Sequence, residues 1–392
     1  MDQVNSLRTE NKFKKTEIGE IPVDWKIEKL KNITKINMGQ SPPSSNCFSY
    51  ENGLPFYQGK AEFGAKYPST IKWCNSPKKI AEKGDVLVSV RAPVGDVNIA
   101  PQKSCIGRGL AAIRGIKSNS DYLYFILGYF KEKLKKIGQG STFEAINKDV
   151  LYELKIPFPP LPEQKKIAEI LSTVDESIEK KKEIIEKTKE LKKGLMQELL
   201  TRGIGHKKFK KTEIGEIPVD WETIRLGDFS SICSGELCKY SKEAFRDTYP
   251  VYGSHGIIGY YEKYNFQNGF VIGRVGASGS IQIISSPIWA TDNTLLLSIK
   301  KGIIDKLYLY YFLMKSNLSN LSTKTAQPLL TQGSLKRVLI ALPPLPEQKK
   351  IAEILSTVDE TIIKEIAHQE RLEENKKGLM QVLLTGKARV KT

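Results

Sequence analysis

Pro159-Pro-Leu-Pro-Glu-Gln-Lys-Lys-Ile-Ala-Glu-Ile-Leu-Ser-Thr-Val-Asp-Glu176 decides the architecture, because it recurs without change as Pro343 to Glu360. Identity over 18 residues excludes chance and establishes a duplication. A second pair, Phe13-Lys-Lys-Thr-Glu-Ile-Gly-Glu-Ile-Pro-Val-Asp-Trp25 and Phe209 to Trp221, is also identical. A third, Lys192 to Gln197 and Lys376 to Gln381, keeps the 184-residue offset of the first, whereas the opening blocks are offset by 196. The region between opening and closing blocks is therefore 12 residues shorter in the second half. Each half reads as an opening block, a divergent middle and a closing helix. Identical ends around divergent middles imply that the ends meet the same kind of partner and the middles different targets. Uneven drift after a recent duplication is the alternative.

The closing segments carry a helical period. Ile167, Leu171, Val174, Ile178, Lys181, Ile185, Thr188, Lys192, Leu195 and Leu199 alternate four-three spacings, the seam of a coiled coil with polar interruptions. The second seam is Ile351, Leu355, Val358, Ile362, Glu365, Gln369, Leu372, Lys376, Leu379 and Leu383. Pro162 and Pro346 stand at the starts, where a missing N–H costs nothing. Helices over about Glu163–Leu200 and Glu347–Leu384 would be roughly 57 Å long and pair most simply with each other, antiparallel. Gly194 and Gly378 near their ends either permit close helix approach or are merely tolerated there.

The middles read as α/β (α+β) domains with irregular, mostly antiparallel sheets. Asp85–Arg91 and Phe270–Val275 are short β-rich runs, and Tyr252-Gly-Ser-His-Gly256 is a loop signature. Helices are expected at about Asp121–Ile137 and Ile304–Asn317. Their aromatics, including Tyr122, Tyr124, Phe125, Tyr308, Tyr310, Tyr311 and Phe312, recur at helical spacing and read as core rather than base-stacking platforms. The expected organisation is 1–158, first divergent domain with its opening block; 159–200, first long helix; 201–208, linker; 209–342, second divergent domain with its opening block; and 343–392, second long helix and tail. The whole has an internal pseudo-twofold repeat, its two domains separated by the helices.

The chain has 392 residues with 61 Lys plus Arg against 44 Asp plus Glu, a net charge of +17 and a pI near 9.4. Such an excess points first to a polyanion, most commonly nucleic acid. Met1–Gly19 is polar, without the apolar core of a secretory signal, and no apolar stretch approaches the roughly 20 residues of a membrane span. A cytoplasmic protein without membrane partners is expected. Five cysteines (Cys47, Cys74, Cys105, Cys233 and Cys238) include no Cys-x-x-Cys, which argues against a disulfide framework or zinc ribbon.

Catalytic signatures are missing from the sequence. There is no phosphate-binding Gly-x-x-x-x-Gly-Lys-Ser/Thr, and Gly107-Arg-Gly-Leu-Ala-Ala112 only grazes a dinucleotide fingerprint without a βαβ setting. Neither a cofactor loop nor an aromatic-proline tetrapeptide for base methylation occurs. His206, His255 and His368 have no metal spacing, and His206 and His368 are expected in solvent.

The paired Pro-Pro-Leu-Pro-Glu-Gln-Lys-Lys-Ile-Ala-Glu-Ile-Leu helices, the Thr-Glu-Ile-Gly-Glu-Ile-Pro-Val-Asp-Trp blocks and the divergent middles resemble the specificity (S) subunit of type I restriction–modification systems. Val88–Gly95, Tyr252–Gly259, Gly273–Gly276 and Trp289–Asn293 resemble recurring segments of that family's target recognition domains. The resemblance implies a non-catalytic chain that reads a bipartite double-stranded DNA target, one half-site per domain. It also implies two methyltransferase (M) subunits held on the helices and restriction (R) subunits joining them. S-adenosylmethionine, ATP and Mg would then belong to the partners, with no cofactor or metal in this chain. A DNA methyltransferase or nuclease with a degenerate signature, or a structural coiled-coil protein, is the alternative. Arg91, Arg108, Ser254, His255 and Arg274, in glycine-bearing loops or strand ends, are the candidate DNA-binding residues. Ile167, Leu171, Val174, Ile178, Ile351, Leu355, Val358 and Ile362 are the candidate helix-pairing and partner positions.

Overall fold

The structure is a computed structural model that describes residues 7–8, 12–139, 144–300, 302–323 and 329–391; the beginning of the polar Met1–Gly19 stretch lies outside them. Two long helices, Leu161–Leu199 and Leu345–Leu383, begin two residues before the expected starts, which makes each proline the second helical residue. The chain forms two compact units, Met1–Glu183 with Ala367–Thr392, and Ile184–Ile366. Each unit thus holds the first part of one long helix and the last part of the other.

In the first unit Ile167 and Leu171 share a core with Leu379, Met380, Leu383 and Leu384, so the helix segments run antiparallel. Asp175 Oδ1 lies 2.6 Å from Lys376 Nζ. In the second unit Leu195, Met196, Leu199 and Leu200 pack with Ile351 and Leu355, and Lys192 Nζ lies 2.6 Å from Asp359 Oδ1. The two ion pairs are copies of each other through the 184-residue repeat. Every expected seam position is buried or half-buried. Gly194 and Gly378, by contrast, mark no close approach: a Cβ at either would meet nothing within 4 Å.

The first unit's α/β domain is built on a four-stranded antiparallel sheet, ordered Val97–Ile99, Val86–Ser89, Leu110–Gly115 and Thr34–Met38. Val86–Ser89 is wholly buried because both faces are covered: Val86 and Val88 join the main core, while Leu87 faces a smaller one with Leu110 and Ala112. A five-stranded sheet adjoins it, in which Leu54–Tyr57 and Ser104–Ile106 run parallel. The second unit repeats the plan with Ser230–Ser234, Thr294–Ile299, Gly269–Gly273 and Ile281–Ile284. Its smaller sheet is Gly256–Tyr261, Tyr249–Gly253 and Trp289–Ala290.

One helix covers the larger sheet of each domain. Asn119 caps Ser120–Tyr129 and Asp305 caps Lys306–Lys315, each side chain accepting from the amide three residues on, as N-caps do. The expected helix 121–137 is two helices, the second being Lys131–Gln139. The aromatics sit in the cores, with Tyr310 half-buried.

The identical blocks meet each other. Trp25 Nε1 donates to Glu163 Oε2 at 3.0 Å, and Trp221 Nε1 donates to Glu347 Oε2 at 3.0 Å. Gln164 accepts from the Asn119 amide and Gln348 from the Asp305 amide, at 3.0 and 2.7 Å. The Pro-Glu-Gln segment therefore clasps the opening tryptophan on one side and the domain helix on the other. Buried polar groups need such partners, so neither block can drift without the other. The carboxylates differ in their second partner. Arg389 reaches Glu163 at 2.6 Å, whereas His206 Nε2 lies 2.9 Å from Glu347. His206 is accordingly half-buried against Trp221 rather than in solvent; His368 is exposed as expected.

Candidate nucleic-acid interface

The three segments singled out in the second middle converge. Ser254, His255, Val275, Gly276, Thr291, Asp292 and Asn293 line one open cleft with Leu237 and Tyr240. Backbone hydrogen bonds between strand ends hold it together. Thr291 N donates to Tyr252 O at 3.0 Å and Arg274 N to Asn293 O at 2.9 Å. Gly279, in the left-handed region at φ +85°, closes the turn after Arg274 by donating to Gly273 O.

The first domain makes the same bonds. Gly107 N donates to Tyr57 O at 2.8 Å, Val90 N to Gly109 O at 2.9 Å, and Gly95 (φ +92°) to Ser89 O. These bonds align the domains residue by residue. Tyr57 corresponds to Tyr252, Val90 to Arg274, Gly107 to Thr291 and Gly109 to Asn293. Arg108 then stands where the second domain has Asp292, and Arg91 where it has Val275. Two bridges agree, Arg91 with Ala145 and Val275 with Leu329.

The candidate residues fall into two groups. Arg91, Arg108 and His255 are exposed. Arg108 hangs from a braced loop: its amide donates to Ser41 Oγ at 3.2 Å, and Gln58 Nε2 donates to the same oxygen at 2.9 Å. Ser254 is 7% exposed, with its hydroxyl donating to Asn293 O at 2.8 Å, so its side chain ties the cleft together from within. Arg274 takes the place of buried Val90; it is half-buried, and its Nε is sealed from solvent without a hydrogen-bond partner among the described residues. Arg91 and Arg274, alike in sequence context, are therefore offset by one position.

Asp292, Ser41 and Gln58 were not marked by sequence. Asp292 lay inside a quoted segment, but only strand register makes it the counterpart of Arg108. The helix positions Ile167, Leu171, Ile178, Ile351, Leu355 and Ile362 are buried, with Val174 and Val358 half-buried, and Ile167, Leu171, Ile351 and Leu355 are spent in the cores of their own units. Among the described residues no group of three His, Cys, Asp or Glu could hold a metal ion, and no helix is long and apolar enough to cross a membrane. All five cysteines are free, and burial pushes the Cys105 thiol up to about 12.

The family described as type I restriction modification DNA specificity domain matches residues 22–190 and 218–374. The chain is 30% identical to the type I restriction enzyme MjaVIII specificity subunit of Methanocaldococcus jannaschii, over 97% of each chain. It is 51% identical to the putative MjaX specificity subunit of the same organism, over 48% of this chain and 45% of that relative. A type I restriction–modification S subunit from M. genitalium shares the fold, with a TM-score of 0.63 at 17% identity over 92% of this chain and 96% of that one.

Proposed function

Because the chain belongs to the family of type I restriction–modification DNA specificity subunits, we propose that its two recognition domains read the two halves of a bipartite double-stranded DNA target. The observation that carries this reading is one cleft backbone built twice with different side chains at its rim, Arg108 and Arg91 in one copy and Asp292 and Val275 in the other. A common frame fixes how the chain meets a groove, and the changed rim fixes which bases it accepts. Arg91, Arg108 and His255 make the contacts; Ser254 and Arg274 hold the loops that present them. The net charge of +17 supplies the sequence-independent attraction to phosphates.

In this reading the chain is not itself catalytic and works in the cytoplasm. Its helices carry two M subunits, to which R subunits attach, and S-adenosylmethionine, ATP and Mg act on those partners. The test is methylation mapping of a host carrying the three kinds of subunit, with the wild-type chain and with residues 26–158 replaced by another recognition domain. The wild type is expected to mark a split motif, and the exchange to change one half only. Alteration of both halves would overturn the assignment of one half-site to each domain.

A further inference from the structure

We infer that Asp292 is a base-reading acceptor, the second domain's counterpart of Arg108, and that it recognises an exocyclic amino group of cytosine or adenine in the major groove. The inference rests on the proposed function and names a contact within it. The positional equivalence comes from hydrogen bonds alone. The residue before each side chain donates its amide to the preceding strand, Gly107 to Tyr57 and Thr291 to Tyr252. The residue after each accepts from the next loop, Gly109 from Val90 and Asn293 from Arg274. Leu110 N returns to Gly107 O at 3.0 Å, as Thr294 N returns to Thr291 O at 2.9 Å. Two tight loops of one shape thus present opposite charges from one position.

Neither charge is spent among the described residues. The Arg108 guanidinium and the Asp292 carboxylate make no hydrogen bond or ion pair among the described residues, although the chain has cations to spare. Asp292 is half-buried in the cleft beside His255 and Asn293. A lone carboxylate on a surface that meets phosphates opposes binding unless a donor satisfies it. Base edges supply that donor: cytosine N4 and adenine N6 carry amino groups in the major groove, where guanine offers only acceptors. Arginine in the same loop takes guanine O6 and N7. The sign change between the loops therefore exchanges an acceptor-rich base for a donor-bearing one.

The experiment uses the full chain assembled with its methyltransferase subunits and duplexes covering every single base-pair change in the mapped target. For the wild type, one position of the second half-site should lose about tenfold in affinity when its cytosine or adenine is replaced, and the replacement series distinguishes the two bases. Asp292→Ala should flatten that position while discrimination in the first half-site persists, and the shape-preserving Asp292→Asn, whose amide sets a donor beside an acceptor, should favour adenine there. Asp292→Arg should shift its preference to guanine. If Asp292→Ala keeps the wild-type profile, or if Asp292→Ala and Asp292→Asn both bind all sequences equally more tightly, Asp292 only repels phosphate and the inference is overturned while the split-target reading stands. A wild-type complex without two independent half-sites overturns both.

Discussion

Arg91 and Arg274 illustrate how one residue of register changes a side chain's task. Both follow a β-rich run and precede a glycine turn, but Arg91 corresponds to cleft-lining Val275, and Arg274 to buried Val90. Under the proposed function an exposed guanidinium meets a base edge, where a bidentate contact gives about 1–3 kcal/mol of discrimination. A half-buried one with a sealed Nε supports the loop around it. Arg91→Ala is therefore expected to relax one position of the first half-site with little change in thermal stability. Arg274→Ala is expected to lower the melting temperature of the chain and to affect the second half-site less sharply. Affinity profiles and thermal unfolding of both variants check this; equal profiles with equal stability would contradict it.

At the level of elements, the long helices combine an apolar seam with polar positions that choose the alignment. Lys192 and Lys376 stand in the seams, and each finds an aspartate, Asp359 or Asp175, on the antiparallel segment in its own unit. The lysines also lie over aromatic rings, Lys192 5.4 Å from the Tyr311 centroid and Lys376 5.8 Å from that of Phe125. Tyr311 donates its hydroxyl to Asp359 Oδ2 at 2.8 Å, which ties the domain helix to the pair. A polar seam residue gives up stability for a single alignment, and here its partner is visible. Asp175→Lys or Lys376→Asp alone sets like charges together and should cost about 1–3 kcal/mol. The double exchange should recover most of that. Chemical denaturation of the three variants measures the coupling, and independent, additive effects would show that the pair does not select the alignment.

Across the whole molecule, duplication gives two recognition domains on near-identical supports, so under the proposed split-target reading helix length is the natural variable for target spacing. Each helix spans 39 residues. Four residues inserted after Glu176 add about 6 Å and slightly more than one helical turn. The gap between half-sites is expected to lengthen by about one or two base pairs at 3.4 Å per pair, with both half-site sequences retained. Methylation mapping with the inserted chain tests this. An unchanged gap in a folded, active complex, or a changed half-site, would refute spacing by helix length.

The sequence by itself determined the duplication, the two long helices, their seams and the aromatic cores. Those features are written in local period or in direct repetition: the four-three spacing from Ile167 to Leu199 can be satisfied only by a helix with a partnered face. The opening and closing blocks were visibly linked in kind, yet only the folded chain showed that they touch, through Trp25 and Glu163 and through Trp221 and Glu347. The separation of Arg91 from Arg274, the positional equivalence of Arg108 and Asp292 in their own domains and the capture of His206 by Glu347 were likewise decided in three dimensions. Each depends on which strand lies beside which and in what register, a long-range choice in which a slip of one residue turns every side chain to the other face.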